Sequence, residues 1–364
     1  MTSYIFNLPV FQTNFFIERQ FYYYILKGGV QRRQFSASFL GKKQFKKSLS
    51  PVPINLNVNL ELNPEFVTGF TDGEGCFHVA ITENKELNLG WKVELLYTIG
   101  LHIKDRPLLE DVQDFFGVGY IAKYKLLSNQ FRVSKLKDLE VVIHHFNKLP
   151  LISQKFADYE LWKKVYNLML LKQHLTANGL RQILAIKASM NLSLSYKLTK
   201  AFPDVVPVVR PIIQNKQFTD PQWLAGFTSA EGSFQVNIQK SLTKLGQTVN
   251  LEFSIAQHER DSELLIMLIK YFQCGYIKKD KTGKRNLIEF RITRLKDLTE
   301  KVIPLFLKHQ IRGGGALKKK DFEDFCLVAE MMNNKLHLTP LSVSGGLAKI
   351  KTIKAGMNTG RKFN

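Results

Sequence analysis

Cysteine is scarce in this chain. It has three in 364 residues, Cys76, Cys274 and Cys326, widely spaced and with no CxxC pair. That excludes a disulfide scaffold and a cysteine-ligated zinc site, and it suits a reducing compartment. Long apolar runs are missing too. Nothing approaches the roughly 18 uninterrupted apolar residues of a membrane-spanning helix. The hydrophobic content of 45% fits a globular protein long enough for two domains or one pseudo-symmetric pair. Acidic residues are in short supply: 31 Asp and Glu face 52 Lys and Arg, a formal charge of +21. Such an excess favours a polyanionic partner, with nucleic acid ahead of an anionic membrane surface. A basic protein kept soluble by its charge is the plain alternative.

The shortage of acid is greatest in residues 1–60, where Glu18 stands alone against Arg19, Lys27, Arg32, Arg33, Lys42, Lys43, Lys46 and Lys47. With Ser and aromatic residues mixed in, this N-terminal extension reads as a transit-like peptide, a leader from an upstream reading frame, or a basic arm. It is left out of the fold.

What is present is a repeat. Asn63-Pro-Glu-Phe-Val-Thr-Gly-Phe-Thr-Asp-Gly-Glu74-Gly-Cys-Phe77 returns as Asp220-Pro-Gln-Trp-Leu-Ala-Gly-Phe-Thr-Ser-Ala-Glu231-Gly-Ser-Phe234. Further blocks follow in the same order. Tyr97–Asp105 matches Phe253–Asp261, Gly119–Ile121 matches Gly275–Ile277, and Arg132–Leu139 matches Arg291–Leu298. Lys155–Glu160 then faces Lys318–Glu323, His174–Thr176 faces His337–Thr339, and Ile186–Asn191 returns as Ile353–Asn358. This is a duplicated domain, and two copies are too few for a solenoid. Prolines 203, 207 and 211 force extended backbone, so residues 201–218 read as a linker between a domain at 61–200 and one at 219–364.

Within each copy the hydrophobic period changes. Asn63 and Asp220 are N-caps with proline at the first helical position. After each signature helix, Phe77, Val79 and Ile81, and likewise Phe234, Val236 and Ile238, alternate with polar or small residues, a period of two. Strands are expected near 92–101 and 249–257, and hairpins near 119–134 and 275–293. Segments 106–116, 262–272, 155–172 and 320–335 have helical spacing. Each half is therefore α+β, an αββαββα unit with one antiparallel sheet.

The signature helices carry small residues four apart, Gly69 and Gly73 in one and Gly226 and Ala230 in the other. Mid-helix glycine costs about 1 kcal/mol relative to alanine, so its repetition points to two helices in backbone contact. Glu74 and Glu231 fall at the last turn, each before a glycine expected to let the chain reverse into the strand. A carboxylate there opposes the helix dipole, and two brought together repel each other. A bound Mg²⁺ removes both penalties, because it prefers hard oxygen ligands and few protein groups.

The paired signatures resemble the motifs of single-chain LAGLIDADG homing endonucleases, nearest to the monomeric type encoded in fungal mitochondrial introns. The resemblance covers residues 61–364. It implies helices meeting at the domain interface, and divalent metal on Glu74 and Glu231 with the Gly73 and Ala230 carbonyls as further ligands. It also implies a lysine that polarises water or steadies developing charge. Here that is Lys155 and, in the second half, Lys318, where Gly313-Gly-Gly315 and a run of three lysines leave the choice among 318–320 open. A polar residue at the end of the second strand orients water in the family. Gln257 fits and Leu101 does not, so the two strands of the target are expected to be cut at different rates. Ser229 stands where the first copy has Asp72, a position given no metal role.

The implied activity is metal-dependent cleavage of both strands of a long DNA site, leaving short 3′ overhangs and promoting intron mobility. At the strand rise of about 3.3 Å, ten residues span about nine base pairs, so the two sheets would read about twenty. The outward face of the first sheet holds His78, Ala80, Thr82, Asn84, Thr98 and Gly100, with Tyr120, Ala122, Tyr124, Gln130, Arg132 and Ser134 on the hairpin. The second holds Ser233, Gln235, Asn237, Gln239 and Ser254, then Tyr276, Lys278, Glu289, Arg291 and Thr293. Gln and Asn suit adenine and Arg suits guanine in the major groove, and the differing faces predict an asymmetric target. One chain supplies both halves, so a monomer is expected, with no membrane partner. A composition rich in Lys, Asn, Phe and Ile, which fits an AT-rich organellar gene, and the basic leader point to the mitochondrion. The alternatives are an RNA maturase acting on its host intron and a DNA-binding protein without cleavage.

Overall fold

The computed structural model describes residues 61–358 except 214–219, 243–244, 280–285, 313–316 and 340–344. The N-terminal extension, the end of the linker and the three glycines Gly313–Gly315 lie outside the described residues. Each half begins as its sequence predicts. Helix α1 (Pro64–Glu74) starts where the Asn63 side chain accepts from the Glu65 amide at 2.8 Å. Strands β1 (Gly75–Glu83) and β2 (Trp91–His102) follow, then α2 (Arg106–Phe116), β3 (Tyr120–Lys125), β4 (Ser128–Val133), α3 (Leu136–Lys148), α4 (Lys155–Leu170), α5 (Ala177–Ala188) and α6 (Tyr196–Ala201). Residues 202–213 contain a turn and no helix or strand, as the prolines require.

The second half repeats the order. Asp220 caps α7 (Pro221–Glu231) through the Gln222 amide at 2.8 Å. Then come β5 (Gly232–Lys240), β6 (Gln247–His258), α8 (Ser262–Phe272), β7 (Tyr276–Lys279) and β8 (Leu287–Ile292). Helix α9 (Leu295–Asp297) runs through a π turn at Leu298–Val302 into α10 (Ile303–Lys308), before α11 (Leu317–Asn333) and α12 (Gly346–Ala355). The fold is α+β with two four-stranded antiparallel sheets, ordered β1-β2-β4-β3 and β5-β6-β8-β7.

Register puts the alternating apolar residues on the covered face. Phe77 pairs with Tyr97 and Phe234 with Phe253, all buried. Phe77 meets Phe146, Tyr159 and Trp162 edge-on, and Phe234 meets Phe306 and Phe325 in the same way. Edge-to-face rings add about 0.5–1.5 kcal/mol per pair beyond burial, so each sheet is fixed to its helices around one phenylalanine.

The glycine after each motif helix has a different purpose from the one the sequence suggested. Gly75 has φ −71° and Gly232 φ −71°, ordinary extended backbone with no left-handed turn. The constraint is space. A Cβ at Gly75 would lie 2.4 Å from Thr71 Cγ2, and one at Gly232 would lie 2.4 Å from Thr228 Cγ2.

Candidate active site and nucleic-acid interface

The motif helices meet through their small residues. A Cβ on Gly69 would sit 1.9 Å from the Trp223 carbonyl oxygen, and one on Gly226 would sit 2.0 Å from that of Phe66. No side chain fits, so α1 and α7 touch backbone to backbone. One turn on, a Cβ at Gly73 would meet the Ala230 Cβ at 2.3 Å and the Glu231 Cγ at 3.1 Å. The two helices therefore end side by side, and Glu74 and Glu231 emerge together. Burial raises the Glu74 carboxyl above its ordinary range, and the Glu231 charge raises it further.

Each helix end is met by one lysine from its own half. Lys155 Nζ, at the start of α4, donates to the Thr71 carbonyl at 2.9 Å and the Gly73 carbonyl at 2.6 Å. Lys318 Nζ, in α11, donates to Thr228 at 3.4 Å and Ala230 at 2.9 Å. An ammonium at a helix C-terminus satisfies orphan carbonyls and opposes the negative end of the dipole. Burial pulls both lysines below the usual range, and the nearby carboxylates work against it: Asp72 and Glu231 foremost at Lys155, Glu74 and Glu231 at Lys318. Of the three consecutive lysines, Lys318 is the one that reaches the helix end, while Lys319 and Lys320 are exposed. The Gly73 and Ala230 carbonyls, expected as metal ligands, thus already accept from ammonium groups.

Asp72 and Ser229 point away into structural contacts. Asp72 accepts from the Ile152 amide at 3.1 Å, the Ser153 amide at 3.0 Å, Ser153 Oγ at 2.5 Å and the Trp223 indole at 2.9 Å. Ser229 accepts from the Arg312 amide at 3.0 Å and donates to the Ala225 carbonyl at 2.7 Å. Both hold the segment that leads to the lysine-bearing helix. The halves are also tied crosswise, since Asp261 accepts from the Gln154 amide at 2.7 Å.

Gln257 lies on the covered face of β6, in line with Phe253 and Ile255, and pairs with the buried Ile288. Leu101 occupies the matching place on β2, and its partner on β4 is Asn129, also buried. The polar amide has moved one strand sideways between the halves. Sequence alignment of one strand at a time could not show this, whereas cross-strand register does.

With the donors in view, a divalent cation can be tested against them. Two adjacent carboxylates fit a hard cation, and among the described residues no cluster of three or more His, Cys, Asp or Glu exists. Phosphate and water oxygens would have to complete the shell, which is the habit of Mg²⁺.

The sequence profile of the LAGLIDADG endonuclease family matches residues 67–166 and 224–329, so it covers both motifs and both sheets. The chain belongs to the LAGLIDADG endonuclease family. Two relatives from Neurospora crassa are described as probable intron-encoded endonucleases. One is 37% identical over 82% of this chain and 68% of its own length, and the other is 38% identical over 81% and 54%. Among solved structures, the LAGLIDADG meganuclease I-SmaMI bound to uncleaveable DNA matches with TM-score 0.79 and 41% identity, over 84% of this chain and 99% of its own. I-GzeII in complex with its DNA target matches with TM-score 0.75 and 38% identity, over 83% and 100%. Another I-SmaMI structure, TM-score 0.78, holds uncleaved DNA in the presence of calcium ions, with 41% identity over 82% and 99%.

The two sheets of this family member set the expected outward residues on one face each, although Thr98 and Ser254, at the centre of those faces, are buried by their neighbours. Register aligns Thr98 with Arg132 and Tyr120, and Gly100 with Gln130 and Ala122, while Ser254 aligns with Arg291 and Tyr276. His78, Ala80 and Thr82 pair with Leu96, Glu94 and Lys92, and Gln235, Asn237 and Gln239 with Glu252, Asn250 and Thr248. These second-strand partners belong to the same faces and were missed. Counting back by twos from Thr98 and Ser254 would have found them. Asn84 is a correction: it lies beyond the end of β1, and its side chain accepts from the Glu86 amide at 3.0 Å, closing the turn. Ser134 and Thr293 lie just past β4 and β8.

The faces differ in charge as well as composition. Arg132 bonds Gln130 at 2.7 Å. Its counterpart Arg291 is held by Glu252 at 2.9 Å and by Glu289. Among the described residues, the guanidinium is paired with carboxylates in the second sheet and not in the first.

Proposed function

We propose that this protein is a site-specific double-strand DNA endonuclease of the homing type, dependent on Mg²⁺. The observation that carries the reading is the pair of carboxylates, Glu74 and Glu231, set together where two motif helices end, with one lysine serving each end. In this reading Glu74 and Glu231 hold the cations. A divalent ion bound there supplies a more acidic water and neutralises charge on the phosphate and the leaving 3′ oxygen. Lys155 and Lys318 hold the helix-end carbonyls and bring an ammonium beside the reacting phosphate, where positive charge steadies the developing negative charge. Gln257 orients water in the second half. The Gly73 and Ala230 carbonyls join the ligand shell by sharing their second lone pair.

The target in this reading is a duplex of about twenty base pairs, from the span of two sheets at about 3.3 Å per residue. Unequal pairing of Arg132 and Arg291 with carboxylates supports an asymmetric sequence, and a perfect palindrome in footprinting would contradict it. Cleavage leaves short 3′ overhangs and promotes intron mobility. Residues 61–200 and 219–364 serve as the two half-site domains of a monomer, joined by 201–218. The protein acts in the mitochondrion, a placement supported by relatives named for fungal cox1 and ND4 introns.

The test is incubation with the host gene's intron-free allele and Mg²⁺. Glu74→Gln and Glu231→Gln are each expected to bind and not to cut both strands. Normal cutting by both variants would refute the assignment.

A further inference from the structure

Lys187 lies in the last turn of α5 and is only 8% exposed. Among the described residues its ammonium makes no hydrogen bond and no ion pair. Asp158, an acid that also acts on Cys76, is engaged by Arg210 at 2.7 and 3.0 Å and by the Asn191 amide at 2.9 Å. A buried cation without an anion is costly, so a group held this way is retained for something outside the chain.

Its surroundings say what that is. The ammonium lies close enough to the Cys76 thiol and the His78 ring for its charge to act on both. Cys76 is exposed, two residues beyond Glu74, and His78 is on the outward face of β1. The lysine charge therefore bears on the first residues of β1, just past Glu74. The other half repeats the placement. Lys354 of α12 matches Lys187 in the repeat, and it borders an open cleft of about 730 Å³ with Ser233, Gln235 and Asn237, outward residues of β5. Asn358 fixes the end of that helix region to the strand by donating to the Phe234 carbonyl at 3.2 Å. Two lysines at equivalent places, Lys187 buried and Lys354 exposed, neither ion-paired among the described residues, flank the first strand of each sheet.

We propose that Lys187 and Lys354 are backbone-phosphate anchors, each gripping one DNA phosphate beside the start of β1 and β5. They fix the duplex against the paired glutamates and read no base. This deepens the endonuclease reading and rests on it. A phosphate is the ligand that a compact ammonium best serves as a point charge, and each such contact releases counterions from the duplex.

The experiment measures binding without cleavage, using the full chain, EDTA and a random-sequence duplex of about 25 base pairs across a salt series. The expected result for Lys187→Met is about ten-fold weaker binding, with the slope of log K against log salt reduced by about 0.9, one phosphate's share. Lys187→Arg should keep the slope. Lys354→Met should act likewise, and the double variant should lose about two phosphates' worth. Thermal melting controls for folding, since removing a desolvated, unpaired charge should leave Lys187→Met at least as stable as the parent. Unchanged affinity and slope in a parent that does bind DNA would overturn the anchor role alone. A parent that binds no duplex would remove the endonuclease reading together with it.

Discussion

Replacing Asp72 with serine, the residue that the second half carries at the same place, separates a structural role from a chemical one. Asp72 is 3% exposed and accepts four hydrogen bonds, from the Ile152 and Ser153 amides, the Ser153 hydroxyl and the Trp223 indole. A serine oxygen can replace one or two of these and strands the indole and at least one amide. Each buried donor left unmade costs about 1–3 kcal/mol, so the loss is about 2–6 kcal/mol. Relief of the buried carboxylate, whose pKa burial holds up, returns part of it and leaves about 3 kcal/mol. On the size scaling of thermal unfolding for a folded unit of about 300 residues, that is a fall in Tm of roughly 5 °C. Urea denaturation should show the same loss at an unchanged m-value. Cleavage per folded molecule, assayed well below the transition, should stay within about three-fold of the parent, because Lys155 keeps its direct bonds to the Thr71 and Gly73 carbonyls and the Glu231 charge beside it when the Asp72 charge is lost. A melting temperature near the parent's together with abolished cleavage would refute this reasoning and put Asp72 in the chemistry.

Three further outcomes are expected. Gly69→Ala puts a Cβ 1.9 Å from the Trp223 carbonyl, so despite a helix-propensity gain of about 1 kcal/mol it should destabilise by more than that, read in urea unfolding. Phe253→Tyr should stabilise by about 1 kcal/mol, because Thr228 Oγ1 is buried with no partner among the described residues, whereas its counterpart Thr71 Oγ1 meets Tyr97 Oη at 2.7 Å; an unchanged Tm would contradict it. His145 is lowered to about 4 by burial, with His144 adding to it, and faces Thr68 Oγ1 at 3.0 Å. Its folded pKa lies below the unfolded value near 6.5. The unfolded chain therefore takes the proton first, and stability falls as pH drops from about 6.5 towards 4. The loss at pH 5 is at most about 2 kcal/mol, and His145→Gln should show a correspondingly flatter pH dependence of its urea midpoint.

Much of the arrangement was legible because it is local or repeated. Asn63-Pro64 and Asp220-Pro221 dictate where the motif helices start, and period-two alternation fixes which face of β1 and β5 is covered. Exact recurrence of Arg106–Phe116 and Ser262–Phe272 as helices reflects apolar spacing that any amphipathic helix obeys. The repeat alone implied that Glu74 and Glu231 are equivalent.

Other features depend on atoms brought together from distant places in the chain. Choosing Lys318 over Lys319 and Lys320 required knowing which way α11 turns toward the end of α7. The sideways move of an amide from Gln257 to Asn129 exists only in cross-strand register, and the steric need for Gly75 arises from Thr71 one turn earlier on the finished helix. The neutralisation of Arg291 by Glu252 and Glu289, and the isolation of Lys187, follow from side chains on three or more elements. Sequence determined the kind of elements, their duplication and the identity of the paired acids, since backbone propensity and hydrophobic period act over short spans. Tertiary structure decided which charges are matched and which are left facing outward, because electrostatic partnership depends on distance through space.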